Sequence, residues 1–193
     1  MLRLQPPLID LTFAFRRVVD ALEQISARYV VVGSTAASAW GVARSTRDID
    51  VVAVITQETV DVFLGALGNN EIYVPVDDAK AAASSGGSFN ILHTKTGGKV
   101  DIFVCLTSDP FESSRLDRRV KLKILGIDTW VATAEDVVLS KLLWRARTRS
   151  EVQWRDCIEI VATQKLDMSY MRLWATHLGI STDFKELLEV TGD

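Results

Sequence analysis

Val31-Val32-Gly33-Ser34, followed by Asp48-Ile49-Asp50 and much later by Val100-Asp101-Ile102-Phe103, sets three carboxylates and a glycine turn among strand-forming residues. Asp has low strand propensity and is rarely buried without a partner, so Asp48, Asp50 and Asp101 among Val, Ile and Phe read as candidate metal ligands. Side chains at i and i+2 of a strand share a face roughly 7 Å apart, which puts Asp48 and Asp50 toward one cleft. A neighbouring strand lies about 4.8 Å away, and Asp101 on such a strand completes a three-carboxylate cluster suited to two hard cations. Gly33-Ser34 ends a short apolar run and precedes the small residues Thr35 to Gly41, one or two helical turns. Glycine at a strand-to-helix turn lets backbone approach a phosphate, and the Ser34 hydroxyl adds a donor there. A competing reading has Asp48 and Asp50 closing a strand end and Asp101 paired with a nearby base such as Lys99.

Working outward, an amphipathic helix is expected from about Asp10 to Ala27, with Leu11, Phe15, Val18, Val19 and Leu22 near helical spacing. Strands are expected at 29–32 and 48–55, a helix at 58–67, a short strand at 72–74 and a short helix at 77–83 stopped by Ser84-Ser85-Gly86-Gly87. Two strands, 89–94 and 100–105, flank the turn Lys95-Thr96-Gly97-Gly98-Lys99 and put Asp101 on a central strand. Asp109-Pro110 marks an N-cap and first helical position for a helix to about Arg119, and a second hairpin surrounds Gly126. From Thr133, whose Thr-Ala-Glu-Asp approximates a capping box, only helices follow: to Trp144, then 152–164, 168–177 and 183–188. The expected fold is α/β (α+β): a small mixed sheet with flanking helices over residues 1–131, joined to a C-terminal helical lobe over 132–193.

Lys141 borders an apolar stripe of Val137, Val138, Leu142 and Leu143, and its long stem can carry the ammonium toward β- and γ-phosphates. Asp156 either orients that lysine or a substrate hydroxyl, or forms an ion pair with Arg155 or Lys141 that has no catalytic part. Arg44 and Arg47 precede the carboxylates; alternation puts Arg47 on the face opposite Asp48, which leaves Arg44 as the phosphate candidate. Arg115, Arg118, Arg119, Lys121 and Lys123, and separately Arg145, Arg147 and Arg149, form basic clusters that read either as a contact for RNA or a triphosphate tail, or as solvated faces. His93 and His177 read as structural, and Trp144, Trp154 and Trp174 as packing residues of the lobe. Cys105 and Cys157 lack any Cys-x-x-Cys or Cys/His spacing and read as small buried hydrophobes.

A chain of 193 residues with 48% hydrophobic content can bury one sizeable core. There is no run of about eighteen apolar residues and no basic segment leading into an apolar one, so the expected location is the cytoplasm without a membrane partner. The net charge of −3 argues against a general nucleic-acid coat.

Gly33-Ser34, Arg44-Ser45-Thr46-Arg47-Asp48-Ile49-Asp50 and Val100-Asp101-Ile102 together resemble the signature of the DNA polymerase β nucleotidyltransferase superfamily. Arg-x-Thr-x-Asp-x-Asp, then a helix bearing Lys141 and then Arg155-Asp156, resembles its AbiEii-type toxin and abortive-infection branch. Glu159 stands where that branch often has a further acid, and Arg47 where it commonly has a less charged residue. The resemblance implies transfer of an NMP from an NTP to an acceptor hydroxyl. Asp48, Asp50 and Asp101 would hold two Mg²⁺ or Mn²⁺ ions; Gly33, Ser34, Arg44, Thr46 and Lys141 would face the nucleotide; Lys141 and Asp156 would assist catalysis. It also implies an RNA 3′ end as one candidate acceptor and a cognate antitoxin as a candidate protein partner. The alternative expectation is a non-catalytic nucleotide- or partner-binding module on the same fold.

Overall fold

The computed structural model describes residues 10–68, 70–106 and 108–192. Its first helix, α1 (Thr12–Gln24), buries Phe15, Val18, Val19 and Leu22 on one stripe, as the spacing predicts. Asp10 accepts a hydrogen bond from the Thr12 backbone N–H (2.8 Å) and so helps to fix the entry into the helix. Strand β1 (Tyr29–Val32) is buried along its whole length, and the chain leaves it directly into the short α2 (Gly33–Ala39). β2 (Asp48–Ala53) ends two residues earlier than expected, where a turn closed by Thr59 Oγ1 on the Thr56 N–H takes over and leads into α3 (Val60–Leu67).

The next elements are β3 (Ile72–Tyr73), α4 (Val76–Ser85), β4 (Gly87–His93) and β5 (Lys99–Val104). The expected turn of four small residues narrows to Gly86, so that α4 is longer on both sides and β4 begins at Gly87. α5 (Pro110–Arg118) is capped by Asp109, whose carboxylate accepts from the backbone N–H groups of Phe111 and Glu112. The second hairpin, β6 (Val120–Ile124) and β7 (Ile127–Val131), turns through Leu125 and Gly126, both at positive φ. Helices α6 (Ala134–Thr148), α7 (Glu151–Thr163), α8 (Met168–His177) and α9 (Ser181–Thr191) complete the described chain. Thr133 caps α6: its hydroxyl accepts from the Asp136 N–H and donates to the Asp136 carboxylate.

The described strands form one mixed sheet in the order β3-β4-β5-β2-β1-β7-β6, with β2 parallel to β5 and antiparallel to β1. Alternation along β2 and β5 sends Ile49, Val51, Val100 and Ile102 into the core and Asp48, Asp50, Lys99 and Asp101 to the other face. α1 covers the core face against β4 and β5 and packs on α3, and α4 lies on β4. α6 packs on α2 and α7, which brings the C-terminal helices up to the edge of the carboxylate-bearing face. No described helix is long and apolar enough to cross a membrane. Cys105 and Cys157 are both buried and free, as expected.

Candidate active site

The register between β2 and β5 sets Asp50 directly beside Asp101 and Asp48 directly beside Lys99. Parallel neighbours in register share a face, so the three carboxylates and one ammonium lie on the same side of the sheet. Lys99 Nζ donates to Asp101 Oδ2 at 2.8 Å and stands 3.3 Å from Asp48 Oδ2. The pairing of Asp101 with Lys99, one half of the competing reading, is therefore realised. The other oxygen, Asp101 Oδ1, is buried and has no hydrogen-bond partner. Thr46 Oγ1 donates to the Asp48 backbone carbonyl (2.8 Å) and lies 3.3 Å from Asp48 Oδ1, fixing the start of β2.

Burial first, then repulsion from Asp48 and Asp101, pushes the Asp50 carboxyl up to about 6; Lys99 and Lys141 oppose the shift. A carboxyl whose folded value lies above its unfolded one binds protons more tightly when folded. Its contribution to stability is complete below the ordinary 3.8 and is lost as pH rises through about 6. In chelator, the melting temperature of the wild type is therefore expected to fall as pH rises across that window, and Asp50→Asn to remove this component; a variant with the same pH slope as wild type would contradict it.

Gly33 makes this close arrangement sterically feasible. Its φ is +64°, and a Cβ built there would fall inside the Asp50 carboxylate. Backbone at positive φ costs a non-glycine residue about 1 kcal/mol or more before any clash is counted. Gly33→Ala is thus expected to lose roughly 1–3 kcal/mol in urea unfolding and to displace Asp50. Equal stability and unchanged Mn²⁺ binding would show that the contact is unimportant.

Opposite the sheet, Lys141 on α6 is 5% exposed and donates to Asp156 Oδ2 at 2.7 Å and to Gln153 Oε1 at 2.9 Å. Asp156, on α7, is equally buried and also receives Arg44 Nη1 at 3.3 Å. Its partners are Lys141 and Arg44, not Arg155, so Arg44 joins the segment before β2 to the helical wall. Between sheet and helices lies a cleft of about 760 Å³ lined by Gly33, Ser34, Asp50 and Lys141, with Trp144 and Arg147 farther along α6.

Residues 8–185 match the family model described as nucleotidyltransferase of unknown function (DUF6036). The chain belongs to this family. No curated protein matches the sequence. In three dimensions this DUF6036 member is similar to an antigenic nucleotidyltransferase-like protein from Paracoccidioides brasiliensis, with a TM-score of 0.55 over 95% of this chain and 94% of that one, at 16% identity. Two further solved structures are similar at lower scores. The antibiotic-resistance factor ANT(2″)-Ia gives 0.44 at 13% identity, covering 92% of each chain. JHP933 from Helicobacter pylori gives 0.41 at 15% identity, covering 94% of this chain and 92% of that one.

Whether the DUF6036 carboxylates suit a cation can be tested on their surroundings. Among the described residues no three of His, Cys, Asp or Glu are gathered closely enough to hold an ion as they stand, and Lys99 bridges Asp48 and Asp101. The donors are hard oxygens, one of them is buried without a partner, and the position between Asp48 and Asp101 already takes a positive charge. These features fit a hard divalent ion.

The first basic cluster makes contacts within the chain, although Lys121 and Lys123 stay exposed. Arg115 pairs with Glu112, Arg118 lies over the Tyr170 ring beside Glu135, Arg119 and Lys121 face the Trp130 ring, and Lys123 pairs with Asp128. In the second cluster, Arg145 is buried against Asp183, Glu186 and the Trp154 ring. Trp144 corrects the packing expectation: it is 57% exposed and stands on the cleft wall. The spacing Lys141-Trp144-Arg147, steps of three on one helix face, was the available signal. Trp154 and Trp174 do pack, the latter against Phe111 and Tyr170. His93 is structural, stacked on Phe13 with Nδ1 at 2.8 Å from Thr96 Oγ1. Glu159 and Arg47 are exposed.

Proposed function

We propose that this chain is a metal-dependent nucleotidyltransferase that moves an NMP from an NTP to an acceptor hydroxyl. The observation that carries the reading is the in-register pair Asp50 and Asp101, of which Asp50 lines a cleft walled by Gly33, Ser34 and Lys141. Asp48, Asp50 and Asp101 would hold two Mg²⁺ or Mn²⁺ ions, which when bound neutralise charge on the phosphates and on the attacking oxygen. Gly33 and Ser34 bind the phosphates from the sheet side, and Lys141 meets the β- and γ-phosphates from the helical wall. Asp156 and Gln153 hold the Lys141 ammonium in place, and Arg44 steadies Asp156. Thr46 steadies Asp48 at the start of β2.

Asp101 helps to take the proton of the acceptor hydroxyl as the hydroxyl oxygen bonds to the α-phosphorus. The bond from that phosphorus to the bridging oxygen breaks in line, and pyrophosphate leaves. In this reading the part of the chain up to residue 131 carries the phosphate chemistry, and residues 132–193 supply Lys141 and Asp156 as a lobe. The AbiEii-type resemblance supports an RNA 3′ end as acceptor and a role as the toxin of a toxin–antitoxin pair.

The test is incubation of the purified protein with each α-³²P-labelled NTP, Mg²⁺ or Mn²⁺, total RNA and lysate protein, beside the Asp48→Asn/Asp50→Asn variant. Label in an RNA or protein band only with the intact carboxylates supports the reading and gives the acceptor class. Absence of label together with absence of metal-dependent NTP binding favours a non-catalytic module.

A further inference from the structure

Three carboxylates on one sheet face repel one another, and the fold must supply a positive charge or force a proton onto one of them. Lys99 is placed to supply it. Register sets it opposite Asp48, alternation sets it on the same face as Asp101, and its ammonium touches both. Its backbone is held firmly: a Cβ at the preceding Gly98 would fall on the Asp10 carbonyl, and Thr96 Oγ1 donates to that carbonyl at 3.1 Å. The turn is thus clamped to the entry of α1 while the ammonium sits at the end of a four-carbon stem, with the side chain 31% exposed. A change of rotamer can carry the charge out to solvent without moving β5. Asp101 Oδ1 stays without a hydrogen-bond partner while Oδ2 is taken, so the ammonium satisfies only part of what the carboxylates can accept.

We propose that Lys99 is a built-in counter-ion of the carboxylates on this sheet face, which holds Asp48 and Asp101 until a divalent cation displaces its ammonium. The proposal rests on the cation-site reading above. Donating hydrogen bonds to Asp101 and Asp48 holds the Lys99 ammonium above the usual lysine range, in agreement with the two contacts. The consequence is a trade: the lysine stabilises the metal-free protein and weakens its affinity for the ion, because each binding event must first break the Lys99 contacts.

The test is calorimetric titration of the full chain with Mn²⁺, without nucleotide, alongside thermal unfolding in chelator. The variants are Lys99→Met, Lys99→Gln, Lys99→Arg and, as a control, Lys95→Met on the same turn. Removing a partly exposed ion-pair partner should tighten Mn²⁺ binding about five- to tenfold in Lys99→Met and Lys99→Gln and lower the melting temperature in chelator. Lys99→Arg and Lys95→Met should stay near wild type in affinity. If wild type binds Mn²⁺ and both neutral variants bind it equally or more weakly, the counter-ion role is overturned and the cation site stands. If no form binds Mn²⁺, the cation-site reading and the proposal fail together.

Discussion

Asp50→Asn is expected to abolish nucleotidyl transfer while leaving a folded protein that melts no lower than wild type at neutral pH in chelator. Asn keeps the shape of Asp but cannot offer the anionic oxygen that a divalent ion and the developing charge on phosphorus require. Losing one such electrostatic contact costs about a hundredfold or more in rate. The stability effect runs the other way: burial and the neighbouring Asp48 and Asp101 already hold the Asp50 carboxyl up to about 6, so an amide removes a repulsion. Label transfer and thermal unfolding on the same preparation check both halves. Retained turnover sinks the catalytic assignment, and unfolding sinks the claim that Asp50 is kept for chemistry at a cost in stability.

Asp156→Ala is expected to give the largest loss of stability. Lys141 is buried and relies on Asp156 Oδ2 at 2.7 Å, with Gln153 its other acceptor, and Arg44 loses its partner in the same step. Removing one member of a buried pair leaves an uncompensated charge, worth about 3–5 kcal/mol, or about 10 °C in melting temperature for a chain of this size. Replacing both members by apolar residues, Lys141→Met with Asp156→Leu, should recover most of that loss, because no buried charge is then left alone. Urea unfolding of the three forms gives the numbers. A single variant as stable as wild type would mean that the ammonium escapes to the cleft, and that Asp156 does not position it.

The elements were largely legible because their signals are local. Period-two alternation at Asp48-Ile49-Asp50 sent both carboxylates to one face, and the stripe through Phe15, Val18, Val19 and Leu22 gave α1. Thr133 and Asp109 marked helix starts because capping needs only the next three residues. The ends of α4, β2 and β4 were less legible, since they depend on which turn wins after the last hydrogen bond.

What the sequence determined by itself was the chemistry on offer: three acids on strands, a glycine before a small-residue helix, and a lysine and an acid on later helices. Only the tertiary structure decided how these meet. That β5 runs parallel to β2 with Asp101 beside Asp50, that Asp156 takes Lys141 and Arg44 and not Arg155, and that Trp144 faces the cleft all depend on residues far apart in the chain. The basic cluster from Arg115 to Lys123 makes the same point, because its side chains lie against Glu112, Tyr170, Trp130 and Asp128. Periodicity fixes which face a side chain takes on its own element. Register and helix packing, set by burial summed over the whole core, fix what that face meets.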